Sequence, residues 1–521
     1  MKPIDANFDE QFLLPPMVED WLATDHPARF IREIVAGLNL AALGFAPQIQ
    51  TEGRPPYANR LLLRVWLYAY FKRIHSTRKV EEACRENMAF IWLSGNTHPD
   101  HNTLWRFFAA NRSALRQVFR QTVRVAVRMN LVGLVLQAVD GTRIAAACSS
   151  RGRFDRKHLE ELLGKLDEAL SGWEKEVETE AGAESPANIL PAALCKTADL
   201  RRRVVEALKE VETGETSQVQ PTDPEARRMP CSSDGRNLFG YNAQAVVDDQ
   251  SRIIVAAEVT NEANDHHQLN AMIQDAAANT GTPAAMTVAD SGYSSREELL
   301  KAKEAGVPVT VPLPPQSRNP DENPFHASRF SYELATDTFH CPGNRHIPFQ
   351  YERLDRGVLV RRYRSAKVCR DCPLRSACTR DPCGRQLELR PGHQEMEEMR
   401  RQMETGLARQ LLTLRKALIE PIFAQIKHNG GFRRWTFYGL EGVRTQWSLL
   451  CTGWNLRQIY QCWVRNVPAG PTALSTVLFD AFCRQLKALF RSRCYNPHFH
   501  EITFSRHSLF FCCDPAMEAF F

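Results

Sequence analysis

Residues 414–435 read LRKALIEPIFAQIKHNGGFRRW, and a single acid, Glu420, stands in them among cations. At 3.6 residues per turn, Lys416, Glu420 and Lys427 fall on one side of a helix. Leu411, Leu414, Leu418, Ile422 and Ile426 form the opposite, core-facing stripe. Pro421 lacks the amide that a helix interior needs, so Glu420 stands either at a kink or just ahead of a helix that starts at Pro421. Between Arg400 and Arg434 eight Lys/Arg stand against two acids, an excess as large as the +6 of the whole chain. A solvated basic helix face has the same pattern, so the lone carboxylate becomes a candidate ligand for metal and phosphate only through partners elsewhere.

Two partners stand upstream. Residues 134–146, LVLQAVDGTRIAA, read as an apolar strand that ends in Asp140-Gly141. Residues 286–290, MTVAD, read as a short buried strand that delivers Asp290 just before Ser291-Gly292-Tyr293. Taken singly, each is an ordinary turn-forming Asp. Between them lie a charged helical pattern over 155–215, a β-hairpin at Tyr241–Val247 and Arg252–Val259, and a helix capped near Asn264 or Asp265. A helix over Ser294–Ala305 and a strand over Val307–Val311 follow. With the insertions removed, this order is that of an α/β (α+β) ribonuclease H-like fold, a mixed five-stranded sheet with carboxylates at strand ends and on a flanking helix. In that fold order the two aspartates and Glu420 belong together, and Asp223, Asp234 and Asp265 read as turn or cap residues.

The first 130 residues read as helical, with periodic segments at Pro27–Leu43, Asn59–Arg73, Arg78–Phe90 and Thr103–Asn130. Ser76 or Thr77 caps one helix and Asp100 another, leaving Arg78, Lys79, Arg85, Arg106 and Arg112 outward. This suits an all-α, helix-turn-helix-like DNA-binding domain or a plain helical bundle. The expected organisation is 1–130 for that domain, 131–465 for the sheet domain with insertions at 150–235 and 312–400, and a tail from 466 to 521 with one helix at Ser475–Arg491.

At 521 residues and 43% hydrophobic content the chain can bury ordinary cores, and its apolar run Leu61–Phe71 is broken by Arg64, too short for a membrane span. The start, MKPIDANFDEQF, has no apolar core of a signal peptide, which points to the cytoplasm. In a reducing compartment fifteen cysteines are better read as ligands or buried thiols than as disulfides. Cys369-x2-Cys372 has knuckle spacing for a tetrahedral zinc, with Cys378 and the Cys341-Pro-Gly turn as the other ligands and Cys383 to spare. Reduced thiols in a loop are the plainer alternative. Arginines at 361, 362, 364, 370, 375 and 380 interleave with the segment and could grip phosphates.

The stretches FDEQFLLPP (8–16), GRPPY (53–57), RKVEEACRENMAFIWLSGNTHPDHNTLWRF (78–107), AVDGTRIAA (138–146), GYNAQAVVD (240–248), VADSGY (288–293) and IEPIFAQIKHNGGFRRW (419–435) carry a resemblance. The chain resembles bacterial insertion-sequence DDE transposases with an InsH-type amino-terminal domain, over residues 8 to about 460. The resemblance implies DNA transposition with Asp140, Asp290 and Glu420 as the metal-holding triad, and Lys427 as the lysine seven residues after the glutamate. Lys416 stands where related enzymes have arginine, and Thr413 where many have tyrosine. Phosphodiester cleavage and strand transfer suit two divalent ions about 4 Å apart, Mg²⁺ or Mn²⁺, on hard carboxylate oxygens. The expected partners are double-stranded DNA, at element ends and target, and further copies of the chain assembled on it. Lys427, Arg433 and Arg434 flank a Gly-Gly helix stop, and with Lys416 they are expected to contact backbone phosphates. A non-catalytic DNA-binding regulator derived from an inactivated element would keep the same basic patches, but intact acids at all three positions argue against it.

Overall fold

The computed structural model describes residues 17–47, 55–148, 155–180, 192–213, 218–230, 237–314, 324–466 and 484. The tail after residue 466, apart from that one position, lies outside the described residues, as does Asp234. The chain divides into two compact units, one of residues 1–133, 141–263 and 422–521, the other of 134–140 and 264–421.

The first unit opens with α1 (Pro27–Gly37), α2 (Asn59–Phe71), α3 (Thr77–Glu86), α4 (Met88–Leu93), α5 (His101–Ala110) and α6 (Arg112–Arg128). Two expected long helices are each split by an asparagine. Asn87 ends α3 and its side chain accepts from the amides of Ala89 and Phe90 to start α4. Asn111 is buried between α5 and α6, where its side chain accepts from Ala46 N at 2.9 Å and donates to Phe107 O at 2.8 Å. Such local hydrogen bonds compete with the helix and favour caps, which hydrophobic periodicity does not register. Asp100 caps α5 through Thr103 N at 2.7 Å. The Ser76 side chain makes no cap bond.

Strand β1 (Leu136–Ala145) runs straight through Asp140-Gly141, which the sequence reading had placed at a strand end. The strand continues because its far half has a second partner. Beyond the helical pair α7 (Arg156–Glu180) and α8 (Ala192–Glu212), which pack through Leu159, Leu166, Val204 and Ala207, come β2 (Arg227–Pro230), β3 (Asn237–Asp248) and β4 (Ile254–Thr260). Ala146 N donates to Phe239 O of β3 at 2.9 Å. Gly240 lies so close to β1 that a β-carbon there would stand 2.3 Å from Ile144 O, so only glycine fits.

Next come α9 (Leu269–Thr280), β5 (Met286–Val288), α10 (Arg296–Glu304) and β6 (Val309–Thr310). The sheet runs β2-β3-β1-β5-β6, with β4 also on β3; β5 is parallel to β1 and to β6, and β3 is antiparallel to β2 and β4. This is the ribonuclease H-like mixed sheet, with one strand more than expected. Four-residue β2 carries Arg-Arg-Met-Pro, too short and polar for a strand pattern to announce.

The cysteine-bearing segment is a second sheet rather than a loop. Strands β7 (Ser331–Glu333), β8 (Thr338–His340), β9 (His346–Asp355), β10 (Val358–Tyr363) and β11 (Leu387–Leu389) form an antiparallel order β11-β10-β9-β8-β7. Helices α11 (Ala366–Arg370) and α12 (Arg375–Cys378) sit between its last two strands in sequence. Its small core is Phe330, Phe339, Ile347, Tyr363 and Leu387. Most of β9 is exposed, so the alternation that reveals a half-buried strand is missing.

Three helices close the described chain: α13 (His393–Met403), α14 (Gly406–Ala424) and α15 (Leu440–Asn466). Helix α15 covers edge strand β4, where Asn455 both accepts from Ile254 N at 2.9 Å and donates to Ile254 O at 2.8 Å. The open strand edge is thereby paired. Gly453 lets α15 pass α2 closely, since a β-carbon there would stand 2.8 Å from Tyr70 O. No helix among the described residues is long and apolar enough to cross a membrane.

Candidate active site

Two of the three acids are aligned by strand register. Leu136, Gln137 and Ala138 of β1 pair in parallel with Met286, Thr287 and Val288 of β5. Asp140 in β1 and Asp290, just past the end of β5 at the start of a 3₁₀ turn, each follow the last paired residues by two positions and so leave neighbouring strands at the same level. Gln137 Nε2 donates to Thr287 Oγ1 at 2.8 Å in the buried floor between the strands and so guards against a one-residue slip. Asp290 Oδ1 accepts from Gly292 N at 2.8 Å and caps the 3₁₀ turn Ser291–Tyr293.

The third acid arrives on α14. This helix continues through Pro421 instead of starting there, and it widens into a π turn at Gln425–Asn429 before Gly430 caps it and left-handed Gly431 turns the chain away. The buried face differs from the expected stripe. Leu414 is 52% exposed, whereas Arg415 is buried together with Leu418, Ile419, Ile422, Phe423 and Ile426. The cause is Asp140, whose Oδ2 accepts from Arg415 Nη1 at 2.8 Å. On its other side the Arg415 guanidinium lies 3.8 Å from Glu420 Oε1. The side chains are 8% exposed for Arg415, 15% for Asp140 and 58% for Glu420, so an arginine joins an inner carboxylate to an outer one.

Sequence reasoning missed a fourth acid. A β-carbon at Gly292 would stand 3.0 Å from Asp290 Oδ1 and 3.2 Å from Asp265 Oδ2, so these two carboxylates converge on one point. Asp265 had been read as a cap, and its carbonyl does accept from Gln268 N at 3.1 Å, but its carboxylate faces the site. Beneath lies fully buried Tyr293, whose hydroxyl is held far above its ordinary pKa by burial and then by Asp265, Asp140 and Asp290. It stays a neutral phenol. The available signal for Arg415 was a charged residue three and seven positions before Leu418 and Ile422, on the apolar stripe itself. For Asp265 no sequence signal separates the cap from the site.

The donor set is all hard oxygen, which suits Mg²⁺ or Mn²⁺ over softer ions. Among the described residues no group of three or more His, Cys, Asp or Glu side chains is placed to hold a metal ion. Of the expected phosphate contacts, Lys416 is exposed on α14, and Arg433 and Arg434 are exposed after the π turn. Lys427 is turned partly inward, its Nζ donating to Arg143 O at 2.9 Å. Beside it Trp435 N donates to Ala145 O at 2.9 Å, which ties the Gly-Gly turn back to the far end of β1.

Cys341, Cys369, Cys372 and Cys378 line one small cavity of about 30 Å³ between the second sheet and helices α11 and α12. Arg345 holds the knuckle closed by donating to Val368 O at 2.7 Å and Asp371 O at 2.8 Å. Burial pushes the Cys378 thiol up, and the other three cysteines add to the rise. Cys383 is exposed and does not line the cavity.

Two transposase family models match the chain, "Transposase DDE domain" over residues 340–460 and "Transposase domain (DUF772)" over residues 16–110. The first includes Glu420 and the cysteines, and the second spans α1 to α5. No curated protein matches the chain. Among solved structures it is similar to a piggyBac transposase synaptic complex with hairpin DNA, at 9% identity and a TM-score of 0.30, over 91% of this chain and 82% of that one.

Proposed function

We propose that Asp140, Asp290 and Glu420 hold the divalent ions, Mg²⁺ or Mn²⁺, of an insertion-sequence DDE transposase, an enzyme of DNA transposition, in line with the two transposase family models that match the chain. The observation that carries this reading is the β1–β5 register, which aligns Asp140 with Asp290, together with the Arg415 bridge that brings Glu420 to Asp140. Two ions bound there would polarise the scissile phosphate and stabilise the attacking and leaving oxygens of an in-line displacement. The protein's own part is to present the carboxylates from strand β1, from the turn just past β5 and from helix α14, with a neutral Tyr293 packed beneath. Water first attacks the phosphodiester at an element end, and the released 3′-hydroxyl then attacks target DNA.

Residues 1–130 are proposed as the DNA-end-binding domain, with Arg78, Lys79, Arg85 and Arg106 exposed on α3 and α5 in support. Lys416, Arg433 and Arg434 add sequence-independent phosphate contacts, and Lys427 positions the turn that presents the last two. The partners are double-stranded DNA and further copies of the chain assembled on it, in the cytoplasm. The four cysteines are proposed as a structural zinc site, since closed thiolate sites stabilise small sheets with little core of their own. The deciding experiment is cleavage of a mini-element by Asp290→Asn protein. Loss of cleavage with end binding retained supports the reading, and full activity overturns it.

A further inference from the structure

The acidic site carries its own cation. Asp140, Asp265, Asp290 and Glu420 lie in the second unit, and Arg415 is a buried positive charge that reaches two of them, Asp140 and Glu420. Its Nη1 donates to Asp140 Oδ2 at 2.8 Å and its Nη2 lies 3.8 Å from Glu420 Oε1. A guanidinium in that position spans the two carboxylates that the proposed triad would use from β1 and from α14. Resting on that reading, we propose that Arg415 is a resident counter-cation. In metal-free protein it holds Asp140 and Glu420 together, and a divalent ion shared by them takes its place at Glu420 while the Asp140 contact persists.

Three observations carry this. The contacts are unequal: the Asp140 bond is short and the Glu420 contact is beyond hydrogen-bond length, so the second is the one that gives way. Exposure runs the same way, with Glu420 at the rim at 58% and Arg415 and Asp140 inside at 8% and 15%, so an incoming ion meets Glu420 first. A charge removed from water must also have a partner in every state, and Arg415 keeps Asp140 throughout. Arg415 is thus a positioning residue that competes with metal for Glu420.

The test measures Mn²⁺ binding to DNA-free full-length protein by electron paramagnetic resonance, which needs no turnover. Arg415→Gln should bind Mn²⁺ about tenfold more tightly than the parent, because a buried positive charge beside the divalent site is removed. It should also lose thermal stability without metal and regain it with Mn²⁺. Arg415→Lys keeps the cation and should stay within about twofold of the parent. Adding Glu420→Gln to Arg415→Gln should abolish the gain. Equal or weaker Mn²⁺ binding in folded Arg415→Gln protein overturns the proposal, as does a gain in Arg415→Lys equal to that in Arg415→Gln. Asp140→Asn in the parent reports separately on the triad: lost Mn²⁺ binding upholds it, and unchanged binding overturns the site assignment itself.

Discussion

Asp140 and Glu420 are proposed to do the same chemical work, yet the structure predicts very unequal consequences for stability when each is replaced by alanine. Asp140 is the 2.8 Å partner of an arginine that is 8% exposed, so Asp140→Ala leaves a buried guanidinium with one distant carboxylate. Breaking one side of a buried ion pair costs about 3 to 5 kcal/mol, and relief of repulsion with Asp265 and Asp290 returns about 1. The expected net loss is about 2 to 4 kcal/mol, a fall in the thermal midpoint of roughly 5 to 10 °C. Glu420 is 58% exposed and 3.8 Å from Arg415, so Glu420→Ala should change stability by no more than about 0.5 kcal/mol. Differential scanning calorimetry in metal-free buffer measures both, and mini-element cleavage should vanish in both. Equal destabilisation by the two variants, or an unchanged midpoint for Asp140→Ala, would refute the view that Arg415 is anchored by Asp140.

Three further outcomes follow from other parts of the molecule. Purified protein should contain about one zinc per chain, and its removal should lower the melting temperature of the 331–389 sheet; metal-free protein that melts unchanged would dismiss the zinc site. Replacing both Arg433 and Arg434 with alanine should reduce the log-log salt slope of DNA-end binding by about one unit per charge, whereas an unchanged slope would place these arginines away from DNA. Asp223 is buried against the Tyr241 hydroxyl at 2.6 Å, and burial raises its carboxyl above the ordinary 3.8. A raised acid favours the folded state below its unfolded value and loses that contribution as pH climbs through the folded value. Asp223→Asn should therefore flatten the decline in stability above about pH 4, and identical pH profiles by urea titration would contradict it.

The alternating and periodic parts of the chain were legible without coordinates. The strand segments at 136–140, 254–259 and 286–288 declare themselves as short apolar runs bounded by turn residues, and the helix carrying Glu420 by its 3.6-residue period. The Gly430-Gly431 stop is equally local, since left-handed Gly431 needs no distant partner. Asp140 and Asp290 could be singled out because each follows a short apolar run. What the local pattern could not supply is anything set by a partner far along the chain. Strand β1 passes Asp140 only because β3 receives its far half, and the 331–389 sheet escaped notice because its long strand is mostly solvent-facing. Arg415 displaced Leu414 from the buried face because a carboxylate 275 residues away offers a hydrogen bond that a leucine cannot make. Periodicity ranks residues by transfer from water, and a guanidinium ranks last until its counter-charge is in place. The sequence determined the apolar runs that become strands of the first sheet, the periodic helices, and the three acids singled out beside them. The tertiary structure alone decided that a fourth acid and a buried arginine stand among them.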